Sequence, residues 1–186
     1  MIDAGLSYKE TLKRMKGLGI DIRKVKGIFI SHEHIDHIKG VELISDRFNI
    51  PVYANRKTWE ASKLLVRPQH KISIRPFESI TIETLSITGF PKNHDAIDPL
   101  SFTITDGTHT VGVFTDIGSV CENVITHFKK CDAAFLEANY DEEMLENGPY
   151  PFHLRKRISG ENGHLSNVQA LELFRQHKSE NLSHLF

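Results

Sequence analysis

The stretch SHEHIDHIKG, residues 31–40, constrains this chain more than any other part of it. It follows the apolar run GIFI and sets four groups able to ligate a metal, His32, His34, Asp36 and His37, almost side by side. Side chains alternate between faces along a strand. If that geometry runs on past Ser31, His32 and His34 project the same way and can grip one ion. The chain then turns, and Asp36 and His37, at the start of the next helix, can reach a second ion nearby. Imidazole nitrogens and a carboxylate with no cysteine suit zinc, with manganese or iron as alternatives. A solvated polar turn has no need of so dense a ligand set.

The remaining pattern supplies a scaffold for such a rim. Short apolar strands alternate with amphipathic helices. MIDAG reads as a strand that turns at Gly5. SYKETLKRMKGLG reads as a helix with Ser7 and Glu10 as a capping box and Gly17 and Gly19 closing it. GIFIS is a buried strand, HIKGVELISDRF a helix with Val41, Ile44 and Phe48 inward, IPVYA a strand and TWEASKLL a short helix. Residues 71–115 are β-rich, with turn chemistry at Asp106-Gly107. A helix near 119–129, the strand AAFLE, a charged helical stretch near 140–158 and the helix SNVQALELFRQHK follow. The mixture suggests α/β architecture: two sheets packed together with helices outside, in one domain over 1–186.

Bulk properties exclude several classes. A formal charge of −1 gives no global basic field for nucleic acid, although a local patch can still bind it. No apolar run approaches the ~20 residues needed to span a bilayer. The opening MIDAG lacks a secretory pattern. Cys121 and Cys131 are not in a zinc-knuckle spacing and read as reduced thiols, which suits the cytoplasm. Histidine is the outlier, at eleven residues.

HxHxDH at a strand end, with IDAG before it, resembles the metallo-β-lactamase superfamily of metal hydrolases. YANRKTW, LEANYDEEML, GPYP and RISGENGHLSN further resemble its YycJ/WalJ-like branch of nuclease-like members. The resemblance implies an αββα sandwich with two divalent metal ions at one edge between the sheets. It implies that His32, His34 and His94 (from FPKNHDAIDP) hold the first ion, that Asp36 and His37 hold the second, and that Asp116 (from GVFTDIG) bridges both. Asp3 matches the family's early aspartate and supports the ligands from behind.

Two ions ~3.5–4 Å apart can share a hydroxide and clamp the oxygens of a reacting phosphorus or carbonyl centre. Zinc lowers the pKa of bound water from ~15.7 to about 7, so hydrolysis is the expected reaction. Asp116 stands where many β-lactam-hydrolysing members carry cysteine, and His37 supplies a ligand they usually lack. ENGHLSNVQALELF puts His164 just before a helix that Ser166 or Asn167 can cap. That helix start reads as a phosphate seat, with His164 as the acid that protonates the leaving oxygen. His164 and Asp36 are therefore the catalytic candidates.

The expected activity is a metal-dependent phosphodiesterase or nuclease acting on nucleic acid or another phosphodiester. A glyoxalase II-like thioester hydrolase and an incomplete metal-binding domain with little activity are the alternatives. Glu137, Asn139, Tyr140 and Asp141 read either as a cleft rim or as an ordinary strand-to-helix turn, and Arg155, Lys156 and Arg157 as a phosphate track or a solvated helix face.

Both ends read as cut. The family places a hairpin before MIDAG, and NLSHLF resembles the start of a final strand carrying a last histidine ligand. His184 is too near the strand's start to be that ligand at ~3.3 Å per residue, which puts it beyond Phe186, with His184 as the fallback.

Overall fold

The computed structural model describes residues 1–186, in two compact units: residues 1–78 with 96–100, and residues 79–95 with 101–186. No helix is long and apolar enough to cross a membrane.

In the first unit the elements run α1 (Tyr8–Gly17), β1 (Ile28–Phe29), α2 (Ile35–Ile38), α3 (Val41–Phe48), β2 (Val52–Asn55), α4 (Arg56–Ser62) and β3 (Lys71–Ile74). The three strands form a parallel sheet in the order β1-β2-β3. Ile28, Ile30, Val52 and Ala54 are buried with Val41 and Ile44 of α3 and Trp59 of α4. Continuous apolar strands are what a parallel sheet covered by helices requires.

Three local expectations need correction. MIDAG forms only a single bridge, Ile2 to Phe29, because Asp3 adopts a left-handed backbone (φ 54) that ends extended pairing. In α1, Ser7 accepts the Glu10 N–H at 3.4 Å, but the Glu10 carboxylate pairs with Arg14 Nε at 2.9 Å instead of returning to the cap, so the box is half made. The helix expected over HIKGVELISDRF breaks between α2 and α3, where the Gly40 N–H donates to the Ala4 carbonyl at 2.8 Å. The Ala4 N–H in turn donates to the His37 carbonyl at 2.8 Å. The two segments lie so close that a Cβ on Gly5 would sit 1.4 Å from the Asp36 carbonyl oxygen; only glycine permits the approach.

The second unit contains β4 (Ser79–Ile82), β5 (Leu85–Pro91), β6 (Leu100–Thr105, its first residue counted with the first unit) and β7 (Thr110–Phe114). Then follow α5 (Glu122–Phe128), β8 (Ala133–Leu136), α6 (Glu142–Asn147), α7 (Phe152–Ile158), α8 (Asn167–His177) and β9 (His184–Leu185). The six strands order β4 to β9; β4 with β5 and β6 with β7 are antiparallel, whereas β7, β8 and β9 run parallel. Asp106 shapes the β6–β7 turn by accepting the N–H groups of Thr108 and His109 at 2.8 and 2.7 Å. Phe90, Phe114, Phe128, Leu165 and Leu173 form the core. His127 stacks on Phe90 at 3.8 Å; burial pushes its imidazole pKa down, as suits a packing residue. The charged stretch 140–158 is two helices, divided at Gly148–Pro151 where prolines deny helical N–H donors.

Candidate metal centre

In the first unit the ligand cluster grows out of the end of β1. The Ile30 N–H still pairs with Tyr53 at 2.8 Å, but the next donor, Ser31 N–H, goes to Asp3 Oδ1 at 2.7 Å. The sheet ladder therefore stops where the histidines begin. Asp3 Oδ2 accepts the Ser31 hydroxyl at 2.7 Å and lies 2.8 Å from His37 Nδ1. Ser31 Oγ lies 2.9 Å from His32 Nδ1.

Counting protons fixes the tautomers. A carboxylate only accepts, so His37 Nδ1 carries a proton. The single Ser31 hydroxyl proton points at Asp3, so Ser31 Oγ accepts from His32 Nδ1–H. Both rings thus turn Nδ1 toward the protein, the arrangement in which a metal-ligating histidine is oriented from behind. His32 Nε2 lies 3.0 Å from His34 Nδ1. Two nitrogens on one tetrahedral zinc, each at ~2.0–2.1 Å, sit about 3.3 Å apart, so this pair has the spacing for a shared ion. His32 is wholly buried. Asp36 is exposed, with Oδ2 3.8 Å from His37 Nε2. Asp3, with a left-handed backbone and three hydrogen bonds to Ser31 and His37, stands behind this cluster. Sequence reasoning missed Ser31 entirely.

In the second unit His94 follows β5 and Asp116 follows β7. His94 Nδ1 donates to the Gly163 carbonyl at 3.0 Å, and Asp95 Oδ1 lies 3.3 Å from its Nε2. Burial, helped by the Lys92 ammonium, pushes its pKa down and keeps the imidazole neutral, the form that binds a metal. Asp116 also has a left-handed backbone, φ 51. Its Oδ1 lies 3.7 Å from His164 Nδ1. Non-glycine residues held at positive φ concentrate where function demands a particular side-chain direction.

Glu137 organises this corner. Its Oε2 accepts the Ile117 N–H at 2.7 Å and the Leu165 N–H at 3.2 Å, while Oε1 lies 2.6 Å from His164 Nδ1. The hydrogen bond to Glu137, with the carboxylate charges of Glu137 and Asp116, raises the His164 pKa against the effect of burial. Asp116, Glu137 and His164 together form a group able to hold a metal ion. Glu137 is neither of the things its sequence context suggested, a rim residue or part of a plain turn. It anchors one loop and the histidine beside it.

The phosphate seat at the start of α8 is not available as expected. Ser166 and Gln169 complete a reciprocal capping box, the Asn167 N–H donates to the Tyr140 carbonyl at 2.8 Å, and the Ser166 hydroxyl donates to Glu142 at 2.8 Å. The N–H groups of Ser166, Asn167 and Gln169 are already used, and a carboxylate stands beside them. His164 keeps its place just before the helix. His184, the fallback ligand, lies in β9 with its Nδ1 2.9 Å from Ser183 Oγ and joins no metal-ligating group.

Residues 1–183 match the family described as the Beta-lactamase superfamily domain. This chain belongs to the β-lactamase superfamily. Over 173 residues it is 34% identical to Exodeoxyribonuclease YycJ of Bacillus anthracis, a match covering 91% of this chain and 66% of that protein. Over 177 residues it is 32% identical to Exodeoxyribonuclease WalJ of Streptococcus pneumoniae serotype 2, covering 92% of this chain and again 66% of the relative. The chain thus spans 66% of the length of these relatives. Among solved structures, the metallo-β-lactamase fold protein YhfI from Bacillus subtilis superposes with a TM-score of 0.71 at 22% identity, over 93% of this chain and 67% of that one. The superfamily's metallo-β-lactamase fold, read from HxHxDH and IDAG, is the fold of this chain, and the likeness to YycJ and WalJ bears out the branch.

Proposed function

We propose that this superfamily member is a metal-dependent phosphodiesterase whose substrate is nucleic acid, and that its two units act as one functional domain over 1–186. His32, His34 and His94 would hold one divalent ion, Asp36 and His37 a second, and Asp116 both. Zinc is the ion this nitrogen-rich, cysteine-free donor set suits best, with manganese or iron as alternatives. Such ions supply an activated water and a clamp on the reacting oxygens. The observation that carries the reading is that His32, His37 and His94 each direct Nδ1 at a protein oxygen, as metal-ligating histidines do, while His32 Nε2 lies 3.0 Å from His34 Nδ1, near the spacing of two ligands on one ion.

The chain's own residues do the rest. Asp3 and Ser31 lock the ligand rings, so little ordering remains when an ion arrives. His164 holds its Nδ1 proton on Glu137, which raises its pKa, and would offer Nε2 to the departing oxygen as the acid. The similarity to exodeoxyribonucleases supports DNA as the substrate. The two free cysteines suit the reducing cytoplasm, where we place the protein.

The test is to load the purified chain with zinc or manganese, count bound metal, and offer it bis-p-nitrophenyl phosphate, single- and double-stranded DNA, RNA and a glutathione thioester. Phosphodiester cleavage that disappears with a chelator is expected. Thioester turnover without phosphodiester cleavage would replace this reading with the glyoxalase II-like one.

A further inference from the structure

Just after Glu137 in the chain, Asn139 and Tyr140 enter the wall of a concavity of about 670 Å³ that Met144, Asn147, Tyr150 and Asn167 also line. Nothing in the chemistry above uses it. We infer that it is a nucleobase pocket, which takes an unstacked base of single-stranded DNA while the adjoining phosphate lies toward His164. The inference rests on the phosphodiesterase reading and extends it to how the substrate is gripped.

The lining chemistry selects this occupant. Two phenol rings offer flat faces for stacking, and Tyr150 remains half exposed at 48%. Three asparagines surround them, and each carboxamide both donates and accepts, as the edge of a base does. No lysine or arginine lines the pocket, whereas Asp141 does, and Glu142 and Glu143 follow in the first turn of α6. That arrangement repels a phosphate and leaves a neutral base unopposed. A base paired in a duplex cannot enter, so the occupant is single-stranded.

The pocket is also built in advance and wired to the proposed acid. Pro149 and Pro151 flank Tyr150 and restrict its backbone. The ring lies so close to Gly148 that a Cβ there would stand 3.0 Å from Tyr150 Cδ2 and 2.6 Å from the Met144 carbonyl oxygen. Asp141 caps α6 through the Met144 N–H at 2.9 Å, which fixes the opposite wall. Asn139 Nδ2 donates to Glu137 Oε1 at 3.3 Å, the same oxygen that holds His164. The Asn139 N–H also donates to the Leu165 carbonyl at 2.9 Å. A base seated here is thus linked to His164 through Asn139 and Glu137.

Fluorescence anisotropy with EDTA present, to stop turnover, would compare labelled oligothymidylate with an abasic oligonucleotide of equal length. Wild type should prefer the base-bearing strand. Tyr150→Ala should weaken oligothymidylate binding by about 5- to 150-fold, the range for one lost stacking partner, and leave the abasic strand unaffected. Tyr150→Phe, which keeps the ring, should restore the preference, and circular dichroism would establish that each variant folds. Equal affinity of Tyr150→Ala and wild type for oligothymidylate, or equal weakening toward both strands, would overturn the pocket. Hydrolysis of bis-p-nitrophenyl phosphate by metal-loaded wild type, which needs no base, reports separately on the phosphodiesterase reading. If that fails as well and neither strand binds, both fall together.

Discussion

Asp3 links most of the first unit's ligand chemistry through one carboxylate, so its charge can be tested without disturbing the backbone. Asparagine tolerates the left-handed conformation that Asp3 adopts. Asp3→Asn should therefore fold, yet lose the anionic acceptor that holds His37 Nδ1 and the Ser31 hydroxyl. Zinc affinity, measured by competition with a chromogenic chelator, should drop about 10- to 100-fold, the usual cost of removing such support. Unchanged affinity would mean that the network is incidental to metal binding.

His164 is separable from the ligands in the same way. His164→Ala should keep its metal and lose ~10²–10⁴ of phosphodiester turnover, the range for a missing acid. Loss of metal together with activity would reassign it as a ligand. Its partner gives a pH test in metal-free protein. Because the folded pKa of His164 is raised, chiefly by Glu137, the stabilisation this brings is fully present below the unfolded value of ~6.5. It is lost as pH rises through the folded pKa. Glu137→Gln should thus lower the melting temperature more at pH 6 than at pH 9; an equal loss at both would show that the Glu137 charge does not act through His164.

At the scale of elements, two features of the second unit are exposed to direct measurement. The N-terminus of α8 depends on Ser166, which is wholly buried and accepts the Gln169 N–H at 3.2 Å. Ser166→Ala removes that cap and the donor to Glu142, and should cost about 1–2 kcal/mol in urea unfolding. Cys131 is buried beneath α5, and desolvation together with the Asp132 carboxylate pushes its thiol pKa up to about 12. Iodoacetamide at pH 8 should therefore modify Cys121 alone in the folded chain and both cysteines in denaturant. Rapid labelling of Cys131 would indicate that the core around Phe114 and Phe128 opens readily.

For the whole molecule, the proposed centre draws ligands from residues far apart in sequence, so metal should act on stability through either set. Zinc at one hundred times its dissociation constant would stabilise the fold by ~2.7 kcal/mol, seen as a higher melting temperature. His94→Ala and His32→Ala should each remove most of that rise, and the double variant little more. Additive losses would instead indicate two independent sites.

The sequence by itself determined the family, the motif from which the proposed ligands come and nearly every element, because these reside in short-range patterns. HxHxDH keeps its meaning within a few residues, and apolar alternation or a capping serine acts over one turn or one strand. Ser166 and the hairpin at Asp106-Gly107 were legible for that reason. Tertiary structure decided what depends on partners distant along the chain. Asp3 and Ser31, twenty-eight positions apart, fix the imidazole tautomers through one shared carboxylate. Glu137 receives the Ile117 and Leu165 N–H groups from two separate loops, and only then can it hold His164. The start of α8 looked open to a phosphate until Tyr140 and Glu142, brought alongside by folding, took the Asn167 N–H and the Ser166 hydroxyl. A hydrogen-bonding group's availability depends on which neighbours reach it first, and only the folded chain assigns those neighbours.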